Sequence, residues 1–128
     1  IRKFSSGKIS TKHRGDWRYG KFEIRAKLPI GKGVWPAIWM LPTDEKYGSW
    51  AASGEIDIME LNGNKPFELL GTLHYGGKWP RNRSSGNKMK LAKGTYGDKF
   101  HTFGIEWVEG EIRWTLDGKI WQKQKQIL

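Results

Sequence analysis

Three carboxylates lie close together in a short and otherwise apolar segment of the chain. Residues 55–61 hold Glu55, Asp57 and Glu60 among isoleucine, methionine and leucine. Such a cluster costs free energy, because each negative charge raises the pKa of its neighbours. Hydrolysis of a glycosidic bond uses this arrangement, since it needs one ionised and one protonated carboxyl group. The segment therefore predicts a glycosidase site, with a solvated edge strand or an oxygen-ligand metal site as the alternatives.

The spacing of the three acids requires an irregular strand. In a regular strand, residues 55 and 57 share one face and residue 60 points to the other. One extra residue, a β-bulge at Ile58–Met59, would bring Glu60 back to the face of Glu55 and Asp57. The side chains of Glu55 and Glu60 would then lean together toward the carboxyl separation of about 5–5.5 Å that a retaining glycosidase needs.

Aromatic residues surround the acidic segment along the chain. Trp35, Trp39 and Trp50 lie within 20 residues upstream of Glu55. Indole rings stack on the C–H faces of sugars, so these three tryptophans are predicted to bind substrate, although any single one is also typical of a core. His74 is predicted to lie in the same cleft, with a structural histidine beside the acids as the alternative.

Alternation of apolar and polar residues predicts an all-β fold. The candidate strands occupy residues 22–28, 34–41, 55–61, 69–75, 103–108, 112–116 and 119–125, and the second of them is expected to be buried on both faces. Trp107 and Trp114 are assigned to the core. The polar residues between 76 and 97 predict a long surface loop that carries Trp79. Short strands joined by glycine, proline, asparagine and aspartate turns indicate an antiparallel β-sandwich.

Length and charge restrict the class of protein. The chain has 128 residues, which suits one domain with a modest core. Its net charge is +10, and the lysines are scattered along it, which favours a solvated basic surface over a site for an anionic polymer such as a sulfated glycan. It contains no cysteine, which excludes disulfides and thiolate metal sites. No apolar stretch is long enough to predict a membrane span.

Five segments together resemble glycoside hydrolase family sixteen, and within it the bacterial laminarinases, which are endo-β-1,3-glucanases. They are residues 19–29, 35–41 (WPAIWML), 54–60 (GEIDIME), 71–74 (GTLH) and 103–107. The resemblance implies a concanavalin-like jelly roll with a concave sheet that forms the substrate cleft. It also implies a role for each acid, with Glu55 as the nucleophile, Glu60 as the acid/base and Asp57 as the assisting acid.

The same resemblance bears on binding residues and substrate. It implies that Trp39 and Trp50 line the glycone-side subsites and that His74 lies in the cleft. Met59 supplies the bulge, which laminarinases, carrageenases and agarases keep and which the lichenases lack, so a lichenase is disfavoured. No cofactor is expected to be required. Many members hold a structural calcium ion through residues near both termini, so no calcium ligand is assigned in this chain, although the ion is expected to be possible in the complete domain.

Family catalytic domains are usually about twice this length. We therefore expect residues 1–128 to be a single catalytic domain that is incomplete at its C-terminal side and shortened at its N-terminal side. Such a chain would leave sheet edges unpaired, and we expect association through those edges or with a complementary segment.

The leading functional hypothesis is a secreted, retaining endo-β-1,3-glucanase whose partner is a β-glucan polysaccharide. A hydrolase of sulfated or agar-type galactans is an alternative, motivated by the positive charge and by Arg81 and Arg83. A non-catalytic β-glucan-binding protein is another alternative, although such relatives have typically lost the catalytic acids. Nucleic acid is not an expected partner, because no recognition motif supports it. A membrane is not an expected partner either, because no apolar stretch is long enough to span one.

Overall fold

Period-two alternation along the chain builds eight strands in the computed structural model, which describes residues 3–125. The strands are β1 Gly20–Ala26, β2 Ala37–Met40, β3 Glu55–Leu61, β4 Glu68–Tyr75, β5 Arg83–Lys90, β6 His101–Val108, β7 Glu111–Leu116 and β8 Lys119–Lys125. A 3₁₀ helix of three residues, Trp50–Ala52, precedes β3. Within residues 3–125, no helix is long and apolar enough to cross a lipid bilayer.

The strands form two four-stranded antiparallel sheets. The acidic sheet has the order β2-β3-β4-β5 and carries the three acids on its second strand. The basal sheet has the order β1-β6-β7-β8. Every neighbouring pair in both sheets is antiparallel. The predicted all-β sandwich is confirmed.

The core lies between the two sheets because each strand turns its apolar residues inward. The acidic sheet contributes buried residues from β3 and β4, and the basal sheet contributes buried residues from β6 and β7. Trp114, at the centre of β7, is fully buried, and Trp107 is partly buried against the same cluster. The assignment of both tryptophans to the core is confirmed.

Two predictions along the chain were wrong. Residues 83–90 were expected in a surface loop, and they form β5, which pairs with β4 from Glu68↔Lys90 to Tyr75↔Arg83. This segment is rich in serine, glycine, asparagine and lysine, which have weak strand preference, so its conformation depends on the ladder with β4. The strand expected at 34–41 covers only Ala37–Met40 and is not buried on both faces, since Ala37 is exposed.

The two C-terminal hairpins agree with their turn signals. Asp117 and Gly118 connect β7 to β8 with φ values of 49° and 78°. Two consecutive residues in the left-handed region are what a tight hairpin turn requires, and Asp-Gly adopts this conformation readily. The loop between β6 and β7 contains only Glu109 and Gly110, because Glu111 pairs with Val108 and begins β7.

Candidate active site

A β-bulge in β3 aligns the three acids. In the ladder with β4, Asp57 pairs with Thr72 and Glu60 pairs with Leu70, so two residues of β3 face the single residue between those partners. The ladder with β2 shifts at the same place, since Asp57 pairs with Trp39. Ile58 and Met59 are buried in the core, and Glu55, Asp57 and Glu60 occupy the opposite face. The predicted bulge is confirmed.

Asp57 lies between the two glutamates and is the most buried of the three acids. Only 3% of its surface is exposed. Burial raises the pKa of Asp57 from an ordinary 3.8 to about 8, and the negative charges of Glu60 and Glu55 and a hydrogen bond with Glu55 act in the same direction. Asp57 therefore carries a proton at neutral pH and can donate it in a hydrogen bond.

His74 completes the cluster from the neighbouring strand. It is the cross-strand partner of Glu55, and its Nε2 lies 3.2 Å from Oδ2 of Asp57. Its ring lies against the indole of Trp50 with centroids 5.3 Å apart. Its Nδ1 is buried, and the described residues offer it no hydrogen-bond partner. The structure therefore places His74 beside the acids, and its role in binding substrate stays a prediction.

Two tryptophans donate hydrogen bonds to the two glutamates. The indole nitrogen of Trp50 donates to Oε2 of Glu55, and the indole nitrogen of Trp35 donates to Oε1 of Glu60 at 3.0 Å. Each bond holds one carboxyl oxygen of its glutamate in place.

The loop that holds Trp50 is tied down by local hydrogen bonds. Ser53 Oγ donates to the carbonyl of Gly48 at 2.6 Å, and the backbone nitrogen of Trp50 donates to Glu45 at 3.3 Å. Trp50 itself has φ of 46°, a left-handed conformation that costs a bulky residue about 1–3 kcal/mol. Strain of this kind persists where surrounding contacts fix the backbone, and here it directs the indole toward Glu55.

Trp39 lies one strand away from the acids on the same face, since cross-strand partners share a face and Trp39 pairs with Asp57. The ammonium group of Lys8 lies 4.4 Å from the centre of its ring. Trp79 extends the aromatic surface, with its ring 6.5 Å from that of Trp50. The structure thus brings all seven predicted site residues together, namely Trp35, Trp39, Trp50, Glu55, Asp57, Glu60 and His74.

Three further residues of the site were not predicted from the sequence. Lys8 covers Trp39, Glu45 holds the backbone of Trp50, and Thr72 pairs with Asp57. Lys8 and Glu45 belong to segments without a recognisable motif, whereas Thr72 lies in the same GTLH segment as His74. Only the fold brings Lys8 to within 4.4 Å of a ring 31 positions later in the chain.

The described residues offer no evident metal site. Across residues 3–125, no group of three or more His, Cys, Asp or Glu side chains is placed to hold a metal ion. The expectation of a calcium ion in the complete domain stays a prediction.

Comparisons with known proteins give a consistent result. The chain is 50% identical over 121 residues to the glucan endo-1,3-beta-glucosidase A1 of Niallia circulans, an alignment that covers 94% of this chain and 18% of that protein. It is 39% identical over 125 residues to a beta-1,3-glucan-binding protein of Penaeus monodon, covering 91% of this chain and 34% of that protein.

Solved structures share the fold. The laminarinase of Rhodothermus marinus superposes with a TM-score of 0.79 and 41% identity, over 90% of this chain and 46% of that one. The chain thus spans less than half the length of these relatives. Residues 1–127 match the model of Glycosyl hydrolases family 16, and the chain belongs to that family.

Proposed function

We propose that the protein is a retaining endo-β-1,3-glucanase that cleaves internal bonds of β-glucans such as laminarin. The observation that carries the proposal is the bulged strand β3, which places Glu55 and Glu60 on one face with a protonated Asp57 between them. The names of the Niallia circulans and Rhodothermus marinus relatives support the substrate class.

The reaction proceeds by double displacement. In the first step an oxygen of Glu55 attacks the anomeric carbon while Glu60 gives its proton to the departing glycosidic oxygen. In the second step Glu60 takes a proton from water, the water oxygen attacks the anomeric carbon, and Glu55 departs as a carboxylate. Two inversions at one carbon leave the product in the β configuration.

Asp57 assists by changing the balance of charge. It donates a hydrogen bond to Glu55 when it is protonated, so the cluster holds one negative charge fewer than its three carboxyl groups would otherwise carry. A proton on Asp57 lowers the electrostatic cost of an ionised Glu55 next to Glu60. Trp50 holds Glu55 through its indole N–H group, and His74 contacts the carboxyl group of Asp57.

The exposed indoles beside the acids form the surface that binds the sugar chain. Trp35 has 56% of its surface exposed, and Trp79 has 76% exposed. Aromatic faces of this kind bind the apolar faces of glucose units. Because the substrate is a polymer too large to enter a cell, we expect the complete protein to act outside the cytoplasm, in polysaccharide degradation.

Two alternative functions have weaker support. The galactan hypothesis used the net charge of +10 together with Arg81 and Arg83. Arg83 pairs with Tyr75, and both residues line a groove of about 990 Å³ between the sheets, on the side of β4 away from the acids. The Penaeus monodon relative is named for binding rather than cleavage. Glu55 and Glu60 are both present here and aligned, which favours an enzyme.

The test is product analysis on laminarin with the natural full-length protein. Proton NMR of the fresh digest is expected to show the β anomer first, before mutarotation adds the α anomer. Glu55→Gln is expected to lower kcat by at least about 10³-fold, because it removes the nucleophile. The matched control, Glu106→Gln, alters a half-buried carboxylate of the basal sheet and is expected to keep wild-type activity. A first product with α configuration, or an active Glu55→Gln variant, contradicts the proposal.

A further inference from the structure

One hydrogen bond joins the acidic strand to the opposite sheet. The indole nitrogen of Trp114, on β7, donates to the backbone carbonyl of Asp57 at 2.8 Å. Trp114 has no exposed surface, so this bond lies in the core and is not exchanged for water. A buried bond of this kind is costly to lose, because the carbonyl would be left without that donor.

The bond reaches β3 at the residue that precedes the β-bulge. Carbonyl groups of a regular strand lie in the plane of the sheet and point toward neighbouring strands. The carbonyl of Asp57 accepts a bond from the other sheet, so it tilts toward the core. It is also the last carbonyl before the two bulged residues, Ile58 and Met59. Trp114 therefore holds the backbone where the strand departs from regular geometry.

Gly71 makes this contact sterically allowed. It lies on β4 between Leu70 and Thr72, directly across from the bulge. A Cβ atom at position 71 would lie 2.6 Å from Cδ1 and 2.8 Å from Nε1 of Trp114. Any larger residue would thus displace the indole from the Asp57 carbonyl. The bulge, the glycine across from it and the tryptophan beneath it form one arrangement.

We propose that Trp114 is a positioning residue for the reaction, which holds the bulge of β3 so that Glu60 faces the same substrate as Glu55. The inference rests on the proposed double-displacement function. A bulge sets the phase between the residues on its two sides, so a shift at the Asp57 carbonyl moves Glu60 relative to Glu55. Trp114 touches no substrate and acts only through the backbone of β3.

The experiment compares two substrates on the natural full-length protein and its Trp114→Phe variant. Laminarin needs Glu60 to protonate its leaving oxygen, whereas a 2,4-dinitrophenyl β-laminaribioside releases its phenolate without that proton. A misplaced Glu60 therefore slows laminarin cleavage and spares the dinitrophenolate burst. Partial unfolding lowers both rates in parallel, so the ratio of the two separates positioning from stability.

We expect Trp114→Phe to lower kcat on laminarin by about 10- to 100-fold with KM nearly unchanged, because displacement of a catalytic group by about 1 Å has effects of this size. The burst rate is expected to change by less than about 3-fold, since the nucleophile keeps its own support from Trp50. The matched control, Trp107→Phe, removes an indole from the same sheet away from the bulge, and it is expected to leave the ratio unchanged.

A second variant keeps the test valid if Trp114→Phe does not fold. Site-specific replacement of Trp114 by benzothienylalanine preserves the shape of the ring and exchanges the N–H group for sulfur. The same loss of laminarin activity relative to the burst is expected. Parallel losses on both substrates, or an unchanged ratio of the two rates in this variant, overturn the positioning role. The proposed function still stands in that case if the wild type cleaves laminarin. A wild type that does not cleave laminarin overturns the proposed function and this inference together.

Discussion

The two sheets have the same number of strands, the same antiparallel pairing and a shared core, yet they differ in regularity and in charge. The acidic sheet carries the bulge, three clustered carboxylates and a pKa raised to about 8 at Asp57. On the basal sheet, by contrast, the carboxylate of Glu111 lies next to basic side chains. Burial favours a raised pKa at Glu111, but the hydrogen bond from Arg113 and the charges of Lys123 and Lys125 outweigh it, so the pKa of Glu111 is lowered.

This difference separates two kinds of residue. Clustered like charges on the acidic sheet reduce stability and serve chemistry, whereas paired charges and apolar packing on the basal sheet serve the fold. Trp114 is the exception, because it belongs to the packing of the basal sheet and donates to the backbone of the acidic sheet. Substitutions of the acids should therefore lower activity with little loss of stability. Substitutions in the packing of the basal sheet should lower stability with little loss of activity.

A large effect on activity is expected from Glu60→Gln on the acidic sheet. Loss of the acid/base is expected to lower kcat on laminarin by about 10²- to 10⁴-fold, with little change in the free energy of unfolding. Sodium azide, which needs no general base, is expected to restore turnover of a 2,4-dinitrophenyl β-laminaribioside and to yield the β-glycosyl azide. Turnover rates with and without azide check this, and an α-azide product would contradict a covalent intermediate on Glu55.

The matching effect on the basal side comes from Phe103→Ala. Phe103 is 1% exposed and packs against Tyr96 with ring centroids 6.0 Å apart. Its truncation is expected to lower the free energy of unfolding by about 3–5 kcal/mol, because it leaves a cavity in the core. Urea unfolding measures the loss. Trapping with a fluorinated substrate counts the folded active sites, and kcat per active site should stay near the wild-type value. A loss of kcat per active site would contradict the assignment of activity to the acidic sheet and stability to the basal sheet.

A smaller effect is expected from Asp57→Asn, and it depends on pH. The folded-state pKa of Asp57 is raised to about 8 from 3.8, so between these values the folded protein binds a proton that the unfolded chain has released. Stability is therefore lost as pH rises through this window. The free energy of unfolding of Asp57→Asn, taken relative to that of the wild type, should therefore rise by about 1–3 kcal/mol as the pH is raised from about 4 to about 9. Urea unfolding at both pH values checks this, and parallel pH dependence in the two proteins would contradict it.

Much of the acidic strand could be predicted because its constraint is local. The period of the apolar residues in 55–61 requires one extra residue if all three acids are to share a face, and the register with β4 confirms it. The β7–β8 hairpin was predictable for the same reason, since Asp117 and Gly118 supply the turn. In both cases, residues close in sequence determine the conformation.

Other features could not be predicted because they depend on contacts between distant segments. Strand β5 lacks strand-forming residues and adopts its conformation by pairing with β4. The indole bonds from Trp35 and Trp50 to the glutamates require loops whose courses the motif does not specify. The extent of the domain on either side of residues 1–128 stays a prediction.

The sequence by itself indicated the kind of chemistry. The spacing of three carboxylates and the nearby tryptophans predicted a glycosidase site, with a solvated edge strand or a metal site as alternatives, and the resemblance to glycoside hydrolase family sixteen implied the role of each acid. Only the tertiary structure decided how those groups are tuned. The proton on Asp57 depends on its burial and on the charges of Glu55 and Glu60, and these follow from the assembled sheet. The support beneath the bulge depends on Trp114, which lies 57 positions further along the chain. Desolvation and hydrogen bonding act through space, and a linear pattern does not record which distant residues come into contact.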